Sequence, residues 1–359
     1  MNAPSPSSGW DAAGFHASVQ AALDTFLDAQ VDGLAELGPD AARLLAEARA
    51  AVTGGKRLRA AFCYWGFRAV REPADEQALV RACAALELLH ASALVHDDYM
   101  DASDTRRGRP ATHRTFESQH RSAGWRGDPV QYGAAAAILL GDLLLAWSDQ
   151  MLRRCGLPAD DVTRALELFD LCRSEVIAGQ FLDVSVQARG RADVDTAMTV
   201  LRFKSAKYSI QRPLHIGAAL AGADEGTMTV LGGFGLPLGE AFQLRDDLLG
   251  VFGDPHVTGK PAGDDLVEGK RTVLVALALD SAGRDEAVLL DASLGTALSA
   301  AQVDRLREVI DDSGAQAQVE EVIGALSDRA LQALQGARID ERARLVLGEL
   351  AAAATQRAG

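Results

Sequence analysis

The sequence predicts an all-α fold. Alanine and leucine dominate the composition, and aromatic residues make up only 5% of the 359 residues, which favours helices over sheets. From about Phe15 onward, apolar residues recur with helical spacing, and clusters of Gly, Pro and Asp separate these stretches. No convincing alternation typical of strands appears. With 48% hydrophobic residues the chain can bury a large core, and we expect a single helical domain.

Five stretches show helical periodicity most clearly, and we expect each to form a helix. The start of the chain, residues 1–14, opens with a Pro- and Ser-rich segment and is expected to be a disordered tail, which leaves residues 15–359 as the folded domain. The segment after Ser281 is also helical in pattern and rich in alanine, and we interpret it as scaffold. The five stretches are Glu76–Asp101, Val130–Cys155, Pro158–Ser185, Asp193–Leu220 and Thr227–Phe252.

Charge, hydropathy and cysteine content exclude several classes of function. The net charge of −14 argues against a nucleic-acid partner, because a phosphate backbone needs a basic surface. No run approaches ~18 uninterrupted apolar residues, so we expect no membrane span, and the first residues lack the apolar run of a signal peptide. The cysteines have no metal-binding spacing and are expected to be buried free thiols in a reducing cytoplasm. They are Cys63, Cys83, Cys155 and Cys172.

Three carboxylates close the first of the five predicted helices, and two arginines follow them. Asp97 and Asp101 are four residues apart and therefore share one helix face. Carboxylates at a helix C-terminus oppose the helix dipole, so this cluster needs cations to offset it. Carboxylates beside basic residues indicate hard metal ions shared with phosphate groups. The cluster consists of Asp97, Asp98 and Asp101, followed by Arg106 and Arg107.

A second acidic cluster repeats this pattern late in the chain. Asp246 and Asp247 come near the end of a predicted helix, and Lys260 and Lys270 follow in a polar loop. Gln243 lies one turn before Asp247, so this helix also has a polar face. Because the pattern occurs twice, we interpret it as a functional site rather than as two solvated helix ends.

Polar segments surround both clusters. Long polar loops are predicted after them, over 102–129 and 253–271, and loops of this length are more often functional than idle. Ahead of both, Gly54–Arg59 combines two glycines with Lys56, Arg57 and Arg59. This segment is not a P-loop, because Lys56 is not followed by Ser or Thr. We interpret it as a second anion pocket.

The helix face behind Asp97 is apolar. Steps of three to four residues back from Asp97 reach Ala93 or Leu94, and then Leu89 or His90. One face therefore has metal-type ligands at its mouth and mostly apolar side chains beneath. This layout suits a ligand with an anionic head and a hydrocarbon tail, and His90 is expected to donate a hydrogen bond in the pocket.

Taken in order, the motifs resemble those of the trans-isoprenyl diphosphate synthases, the polyprenyl synthetase family. The resemblance extends from Gly54 to Thr272 and covers an isopentenyl diphosphate site, two aspartate-rich motifs and two motifs between them. Any one of these motifs is a weak signal, whereas the ordered set is specific. The matching stretches are Gly54–Arg59, Asp97–Asp101, Arg106–Gly108, Gly179–Asp183, Lys204–Ser205 and Phe242–Asp247.

The resemblance implies an isoprenoid synthase fold, in which one large helical bundle surrounds a deep central cavity, usually in a homodimer. It implies a head-to-tail trans condensation of isopentenyl diphosphate with C5, C10 or C15 allylic diphosphates, assisted by three Mg²⁺ ions held by Asp97, Asp101 and Asp246. It assigns catalysis to Asp97, Asp98, Asp101, Arg106, Lys204, Asp246, Asp247 and Lys260. It assigns substrate binding to Lys56, Arg59, His90, Arg106, Arg107, Lys204, Ser205, Gln243, Lys260 and Lys270.

One position departs from the family pattern. The fifth residue of the second aspartate-rich motif is Gly250, where many members have Asp. Carboxylate coverage of one metal ion is therefore left open by the sequence. Bacterial members with longer products often share this glycine, so we expect the chain to be active.

Product length in the family depends on bulk four or five residues before the first motif. Here those positions are Ala93 and Ser92, which are both small. Leu89 lies about 12 Å down the helix from Asp97, at a rise of ~1.5 Å per residue. We therefore expect a product beyond C15, namely C20 geranylgeranyl diphosphate, with C25 and longer products left open.

Three alternatives are open at this point. His90 and His96 beside the carboxylates allow a His–Asp metal hydrolase, although the other histidines have no supporting spacing. A terpene cyclase of the same fold would keep the first acidic motif, but it has no use for a second diphosphate site. A non-catalytic subunit of a heteromeric synthase typically lacks one aspartate-rich motif, and this chain has both.

Overall fold

The described part of the chain is almost entirely helical, which confirms the all-α prediction. The computed structural model describes residues 9–190, 193–253 and 263–355. Ala35–Leu37 form a 3-10 turn and Leu201–Gln211 a π-helix, while β1 (Thr105–Arg106) and β2 (Arg109–Pro110) pair as a short antiparallel hairpin. The α-helices are α1 (Ala12–Leu34), α2 (Pro39–Val52), α3 (Leu58–Arg68), α4 (Glu76–Met100), α5 (Thr112–Ser122), α6 (Pro129–Arg153), α7 (Ala159–Arg189), α8 (Val194–Val200), α9 (Arg212–Leu220), α10 (Glu225–Phe252), α11 (Asp264–Glu268), α12 (Val273–Ser281), α13 (Arg284–Ser293), α14 (Ala300–Asp312), α15 (Ala315–Leu334) and α16 (Glu341–Thr355).

Four of the five predicted helices are present as single α-helices, and the predicted helix Asp193–Leu220 consists of α8, the π-helix and α9. Local capping sets several of the helix ends. Asp75 starts α4, since its side chain accepts a hydrogen bond from the backbone N–H of Ala78. α7 continues past the predicted end at Ser185 and stops at Gly190. Gly190 has a φ of 69°, the left-handed conformation with which glycine commonly ends a helix.

The structure corrects the predicted tail and loops. α1 begins at Ala12, inside the predicted tail, and Trp10 packs edge-on against Trp65 with 5.7 Å between ring centres. The tail prediction is therefore wrong for residues 10–14. The predicted loop over 102–129 contains the β-hairpin and α5, and the loop over 253–271 contains α11. Residues 254–262 lie outside the described part of the chain.

Two hydrophobic clusters form the core, and α10 contributes to both. The first cluster surrounds α4, whose residues Leu86 and Leu89 are buried in it, and α10 adds Phe234. The second cluster lies among α12, α14 and α15, and α10 adds Leu244 and Val251. Because α10 spans both clusters, its polar residues are held at a fixed place between them.

The π-helix brings polar side chains close to α7 and α10. A Cβ on Gly179 of α7 would lie 2.4 Å from the backbone nitrogen of Lys204, and a Cβ on Gly239 of α10 would lie 2.4 Å from the carbonyl oxygen of Ala206. Only glycine permits these two approaches. π-Helical turns occur mostly at functional sites, and this one carries Lys204, Ser205 and Tyr208.

Two helices, α4 and α6, are long and apolar enough to cross a membrane by length and composition alone. Scattered polar residues interrupt both helices, so neither is an uninterrupted apolar run in the sequence. The most apolar window of α4 is 78% buried inside the protein, as expected of a core helix, whereas that of α6 is 39% buried.

The four cysteines are buried free thiols, as predicted.

Candidate active site

A cavity of about 760 Å³ collects most of the predicted site residues. Its walls come from the Gly54–Arg59 segment, α4, α7, the π-helix, α10 and the α11 segment. Asp98, Asp101, Leu89 and Ser92 are outside its lining, and Lys260 lies outside the described residues. The predicted site residues that line it are Lys56, Arg59, His90, Ala93, Asp97, Arg106, Arg107, Lys204, Ser205, Gln243, Asp246, Asp247 and Lys270.

Lys204 joins the first aspartate-rich motif to α7. Its Nζ lies 3.0 Å from Asp97 Oδ1 and 2.6 Å from Asp183 Oδ2, and Gln180 Nε2 donates to the same Asp97 oxygen at 3.0 Å. Burial raises the pKa of Asp97, but the positive charge of Lys204 and other cations outweighs burial and lowers that pKa to about 2. Asp97 is therefore ionised at neutral pH.

Asp98 is not among the residues that line the cavity, and its carboxylate accepts hydrogen bonds from Arg106. Arg106 Nε donates to Asp98 Oδ1 at 2.8 Å, and its Nη2 contacts the same oxygen. The Asp98 side chain is only 5% exposed, so this pair is held in one geometry. Asp98 therefore positions the Arg106 guanidinium at the cavity wall.

Lys270 links the first acidic motif to the α11 segment. Its Nζ lies 3.5 Å from Asp101 Oδ2, 3.5 Å from Asp265 Oδ1 and 2.5 Å from Glu268 Oε2. The other oxygen of Asp101, Oδ1, is buried, and no described residue forms a hydrogen bond with it. Burial, and then repulsion from Asp97, raises the pKa of Asp101 to about 6. A further cation beside this buried carboxylate would stabilise its charged form.

The second acidic motif also carries excess negative charge. Asp247 is buried on α10, and Gln243 Nε2 donates to its Oδ1 at 2.8 Å. Burial, together with the negative charges of Asp265 and Asp246, raises the pKa of Asp247 to about 8. Two walls of the cavity therefore present carboxylates that favour an additional bound cation.

The donor set fits Mg²⁺ bound together with a diphosphate. Within the described residues, no three His, Cys, Asp or Glu side chains are placed to hold a metal ion by themselves. Mg²⁺ is usually bound by one or two carboxylates and completed by phosphate oxygens, which Asp97, Asp101 and Asp246 could share. Bound Mg²⁺ would neutralise negative charge on a departing diphosphate.

A His–Asp hydrolase is not supported, since His96 Nε2 contacts the carbonyl oxygen of Ile138 at 3.1 Å.

The predicted second anion pocket is a turn with left-handed backbone. The φ angles are 76° at Gly54, 85° at Gly55 and 52° at Arg57, and Arg107 on the hairpin has a φ of 52°. A Cβ on Gly55 would lie 2.8 Å from Arg107 Nη2, so a side chain here would push the guanidinium aside, and the φ of 85° itself favours glycine. Non-glycine residues in this conformation are strained and concentrate at ligand sites.

Arg57 fastens this turn to α4. Its buried Nη1 donates to Glu87 Oε2 at 3.2 Å, and Glu87 Oε1 accepts from the backbone N–H of Ala60 at the same distance. Arg57 belongs to the anion pocket predicted from the sequence, whereas Glu87 was not predicted. Lys56 and Arg59 line the cavity on either side of Arg57, and both members of the Arg57–Glu87 pair line it as well.

Arg59 and His90 meet at Tyr208 of the π-helix. Arg59 Nη2 donates to Ser209 Oγ at 2.7 Å, and the guanidinium carbon lies 4.2 Å from the centre of the Tyr208 ring. His90 Nδ1 lies 2.7 Å from the Tyr208 hydroxyl oxygen. Burial and then the charge of Arg59 lower the pKa of His90 well below its usual value. The imidazole is therefore neutral and can donate one hydrogen bond without adding charge.

The apolar part of the cavity lies behind Asp97. Ala93 and Leu94 of α4 and Val176 of α7 line it. Leu89 and Ser92 are buried in the packed core and are not among the lining residues. Of the three residues predicted to control product length, Leu89, Ser92 and Ala93, only Ala93 lines the cavity.

Tertiary packing adds residues that were not assigned to the site from the sequence. The Gly179–Asp183 motif had been noted, but its Gln180 and Asp183 were not assigned a role, and Tyr208 carried no signal. The sequence did contain a signal for Gln180 and Asp183. They are polar residues three positions apart within the otherwise apolar stretch 176–184. Their contacts with Asp97 and Lys204 place them in the same site.

Comparison with known proteins agrees with this geometry. The family model described as polyprenyl synthetase matches residues 42–312. The chain is 35% identical over 291 residues to the geranylgeranyl diphosphate synthase of Mycobacterium tuberculosis, covering 78% of this chain and 77% of that one. It is 36% identical over 265 residues to the geranylfarnesyl diphosphate synthase of Aeropyrum pernix, covering 73% and 77%.

A solved structure is similar over nearly the whole chain. The geranylgeranyl pyrophosphate synthase of Corynebacterium glutamicum, complexed with isoprenyl diphosphate and magnesium, superposes with a TM-score of 0.95 at 40% identity. The match covers 97% of this chain and 100% of that one. The fold, the ordered motifs and the two acidic walls therefore lead to one conclusion: the chain belongs to the polyprenyl synthetase family and is a trans-prenyltransferase.

Proposed function

We propose that this trans-prenyltransferase extends allylic diphosphates with isopentenyl diphosphate as far as C20 geranylgeranyl diphosphate. The observation that carries the proposal is the position of Ala93, a small side chain in the cavity lining one helical turn behind Asp97. Because Ala93 adds little bulk at that level, a C15 chain can extend past it and accept another isoprene unit. The names of the relatives, which include both geranylgeranyl and geranylfarnesyl diphosphate synthases, support a product in this range.

In this proposal the allylic diphosphate binds between the two acidic walls with three Mg²⁺ ions. Arg106, Lys204 and Lys270 line the cavity there and stabilise the negative charge that builds as the carbon–oxygen bond breaks. Preorganised charge of this kind is usually the largest contribution to catalysis. Lys260 would act with them, and this remains a prediction because it lies outside the described residues.

Isopentenyl diphosphate binds in the turn formed by Gly54–Arg59. Lys56, Arg59 and Arg107 hold its diphosphate, and neutral His90 donates a hydrogen bond. Its double bond then supplies the electron pair for the new carbon–carbon bond to the allylic carbon, and the released diphosphate takes the proton that restores a double bond. The enclosed apolar surface keeps water from the allylic cation.

Product sizing tests this proposal. Purified protein is incubated with Mg²⁺, isopentenyl diphosphate and a C5, C10 or C15 allylic primer, and the alcohols are sized after dephosphorylation. We expect the C20 alcohol from each primer and no elongation with EDTA. A final product of C15 or of C25 would contradict the C20 assignment, and folded protein without elongation would contradict the synthase itself.

Substituting Arg59 with Lys should affect one substrate more than the other. Lysine keeps the positive charge but loses the planar fork that contacts Ser209 and stacks on Tyr208. We expect KM for isopentenyl diphosphate to rise about tenfold, since a hydrogen bond to a charged group contributes roughly 1.5 kcal/mol. Steady-state kinetics with each substrate varied in turn should show little change in KM for the allylic primer. Equal increases for both substrates would contradict the assignment of this pocket.

We also propose that the chain forms a homodimer through α6 and α7. These two helices expose large apolar side chains to an extent that isolated monomers rarely show. Leu139 is 65% exposed and Phe181 is 74% exposed, and neighbouring turns add further exposed residues. α7 also carries Gln180 and Asp183, so a dimer through this face would support one wall of each active site. Further exposed apolar residues on these two helices are Val130, Ile138, Leu171, Ile177 and Val184.

A charged substitution on this face should separate the subunits. In the proposed dimer, Leu139→Asp would bury an unpaired carboxylate, which is costly. Sedimentation should show wild-type protein at twice the chain mass of 37.9 kDa and the variant at the chain mass itself. Val288→Asp on α13 is the matched control, because Val288 is 62% exposed but lies elsewhere. A dimeric Leu139→Asp variant, or a monomeric wild type, would contradict the proposed interface.

A further inference from the structure

A buried carboxylate on α7, that of Glu175, binds two cations that the proposed mechanism does not use. Its Oε1 accepts hydrogen bonds from Lys207 Nζ at 2.7 Å and from Arg212 Nη2 at 2.8 Å, and its Oε2 accepts one from Arg212 Nε at 2.7 Å. Burial raises the pKa of Glu175, but the hydrogen bonds from Arg212 and Lys207 outweigh burial and lower that pKa below its usual value. These three residues, the Glu175 cluster, are not among the residues that line the cavity. They form a network of ionised groups between α7 and the end of the π-helix.

Lysine is rare in this chain, which has five lysines among 36 basic residues. Four of them, Lys56, Lys204, Lys260 and Lys270, belong to the motifs assigned to substrate binding. Lys207 is the fifth. Its Nζ lies 3.8 Å from the centre of the Phe203 ring while it binds Glu175, a position that suits the compact charge of lysine rather than the wide planar fork of arginine.

The same two cations flank the last hydrogen bond of the π-helix. The backbone N–H of Arg212 donates to the carbonyl oxygen of Lys207, five residues back, which is the π-helical pairing. An α-helix would instead join Arg212 to Tyr208, four residues back. Because the side chains of Lys207 and Arg212 bind one carboxylate, Glu175 bridges the two ends of this backbone hydrogen bond. The Glu175 cluster therefore supports the π-helical pairing against the α-helical one.

This register decides where Lys204 lies. π-Helices occur mostly as single turns, whereas this one runs over 11 residues and needs support from outside the segment. α7 contacts it at two points on one face, through Glu175 and through Gly179 four residues later, whose missing side chain admits the backbone of Lys204. A return to α-helical pairing would change the rotation between successive residues and move Lys204 Nζ away from Asp97 and Asp183.

We propose that Glu175 is a positioning residue for the transfer step: by binding Lys207 and Arg212 it holds the π-helical register that presents Lys204 to the departing diphosphate. The inference rests on the proposed function, in which Lys204 stabilises the charge on that diphosphate. Glu175 acts through Lys204 and does not itself contact the reacting atoms. Loss of its carboxylate should therefore lower kcat by displacing Lys204.

The first test compares variants of the purified full chain by melting temperature and by steady-state kinetics with a C15 primer. For Glu175→Gln and for Lys207→Met we expect kcat to fall about tenfold, since misplacing a catalytic group by ~1 Å can cost up to ~100-fold. KM for the primer should change less than threefold, because Lys204 acts on charge that develops as the bond breaks. Should Glu175→Gln fail to fold, Lys207→Met decides alone, since it leaves Glu175 paired with Arg212.

Asp161→Asn is the matched control for these variants. Asp161 is a buried carboxylate on the same helix, and it pairs with Arg71 and Arg164, neither of which belongs to the π-helix. The control should lower the melting temperature, because it breaks a comparable ion pair, but it should leave kcat unchanged. An equal loss of kcat in Asp161→Asn would mean that any weakened contact of α7 has this effect, and would overturn the inference.

The second test shows whether the effect passes through Lys204. Glu175→Gln, or Lys207→Met in its place, is combined with Lys204→Gln in a double-mutant cycle. In the Lys204→Gln background we expect the second substitution to lower kcat less than twofold, because a lysine that is absent cannot be displaced. The same tenfold loss in both backgrounds, or wild-type kcat in the folded single variants, would overturn this inference alone. Wild-type protein that elongates no primer would overturn the proposed function instead.

Discussion

Replacing Asp97 with Asn should reduce kcat by roughly 10²–10³-fold, the loss typical of removing one group that stabilises transition-state charge. Asp97 accepts from Lys204 and Gln180 through one oxygen, and its pKa of about 2 keeps it ionised. Asparagine keeps the size and one acceptor oxygen but removes the negative charge. The fold should persist, whereas binding of the diphosphate with its Mg²⁺ should weaken.

The measurement is the steady-state rate with a C15 primer, together with the melting temperature without ligands. Asp40→Asn is the control, because Asp40 is an exposed carboxylate paired with Arg43 on α2, outside the cavity lining. We expect wild-type rates from the control. A rate for Asp97→Asn within threefold of the control would mean that Asp97 does not act at the reacting diphosphate.

Replacing Ala93 with Phe should shorten the product from C20 to C15 or less. Ala93 lies four residues before Asp97, about 6 Å down the helix at ~1.5 Å per residue. The phenyl ring would enter the apolar part of the cavity next to Leu94 and Val176 and close the path of the growing chain. The reacting groups at the mouth are unchanged, so the first condensation should still occur.

Products of the Ala93→Phe variant are sized after dephosphorylation under the conditions used for the wild type. Ala93→Ser is the matched control, since it adds one oxygen atom but little volume and should still give C20. The melting temperature of both variants shows whether the substituted helix still packs. A folded Ala93→Phe variant that still makes C20 would place the floor elsewhere in the cavity.

The sequence predicts the elements of the site well where one helix carries the information. Asp97, Ala93 and His90 share one face of α4, and helical periodicity alone brings them to one surface. Helix α10 was predicted in the same way, including the polar side that presents Gln243 and Asp246. For such elements the apolar pattern fixes the buried side, and the polar residues follow from it.

Other parts of the site depend on how helices meet, which periodicity does not determine. The π-helical turn that aims Lys204 requires the close approach of Gly179 and Gly239 from two other helices. The Glu175 cluster joins α7 to the π-helix and α9 across 32 to 37 residues of sequence through tertiary packing. The predicted loops were partly wrong for the same reason, since α5 and α11 are short helices that are stabilised by what they pack against.

The central claim is that the diphosphate lies between the two acidic walls while the hydrocarbon chain extends past Ala93. A crystal structure of the protein with Mg²⁺ and geranylgeranyl diphosphate tests it most directly. We predict diphosphate oxygens and Mg²⁺ at Asp97 and Asp246, with the C20 chain in contact with Ala93 and Val176. A chain that leaves the cavity without passing Ala93, or a diphosphate bound without either aspartate, would contradict the account.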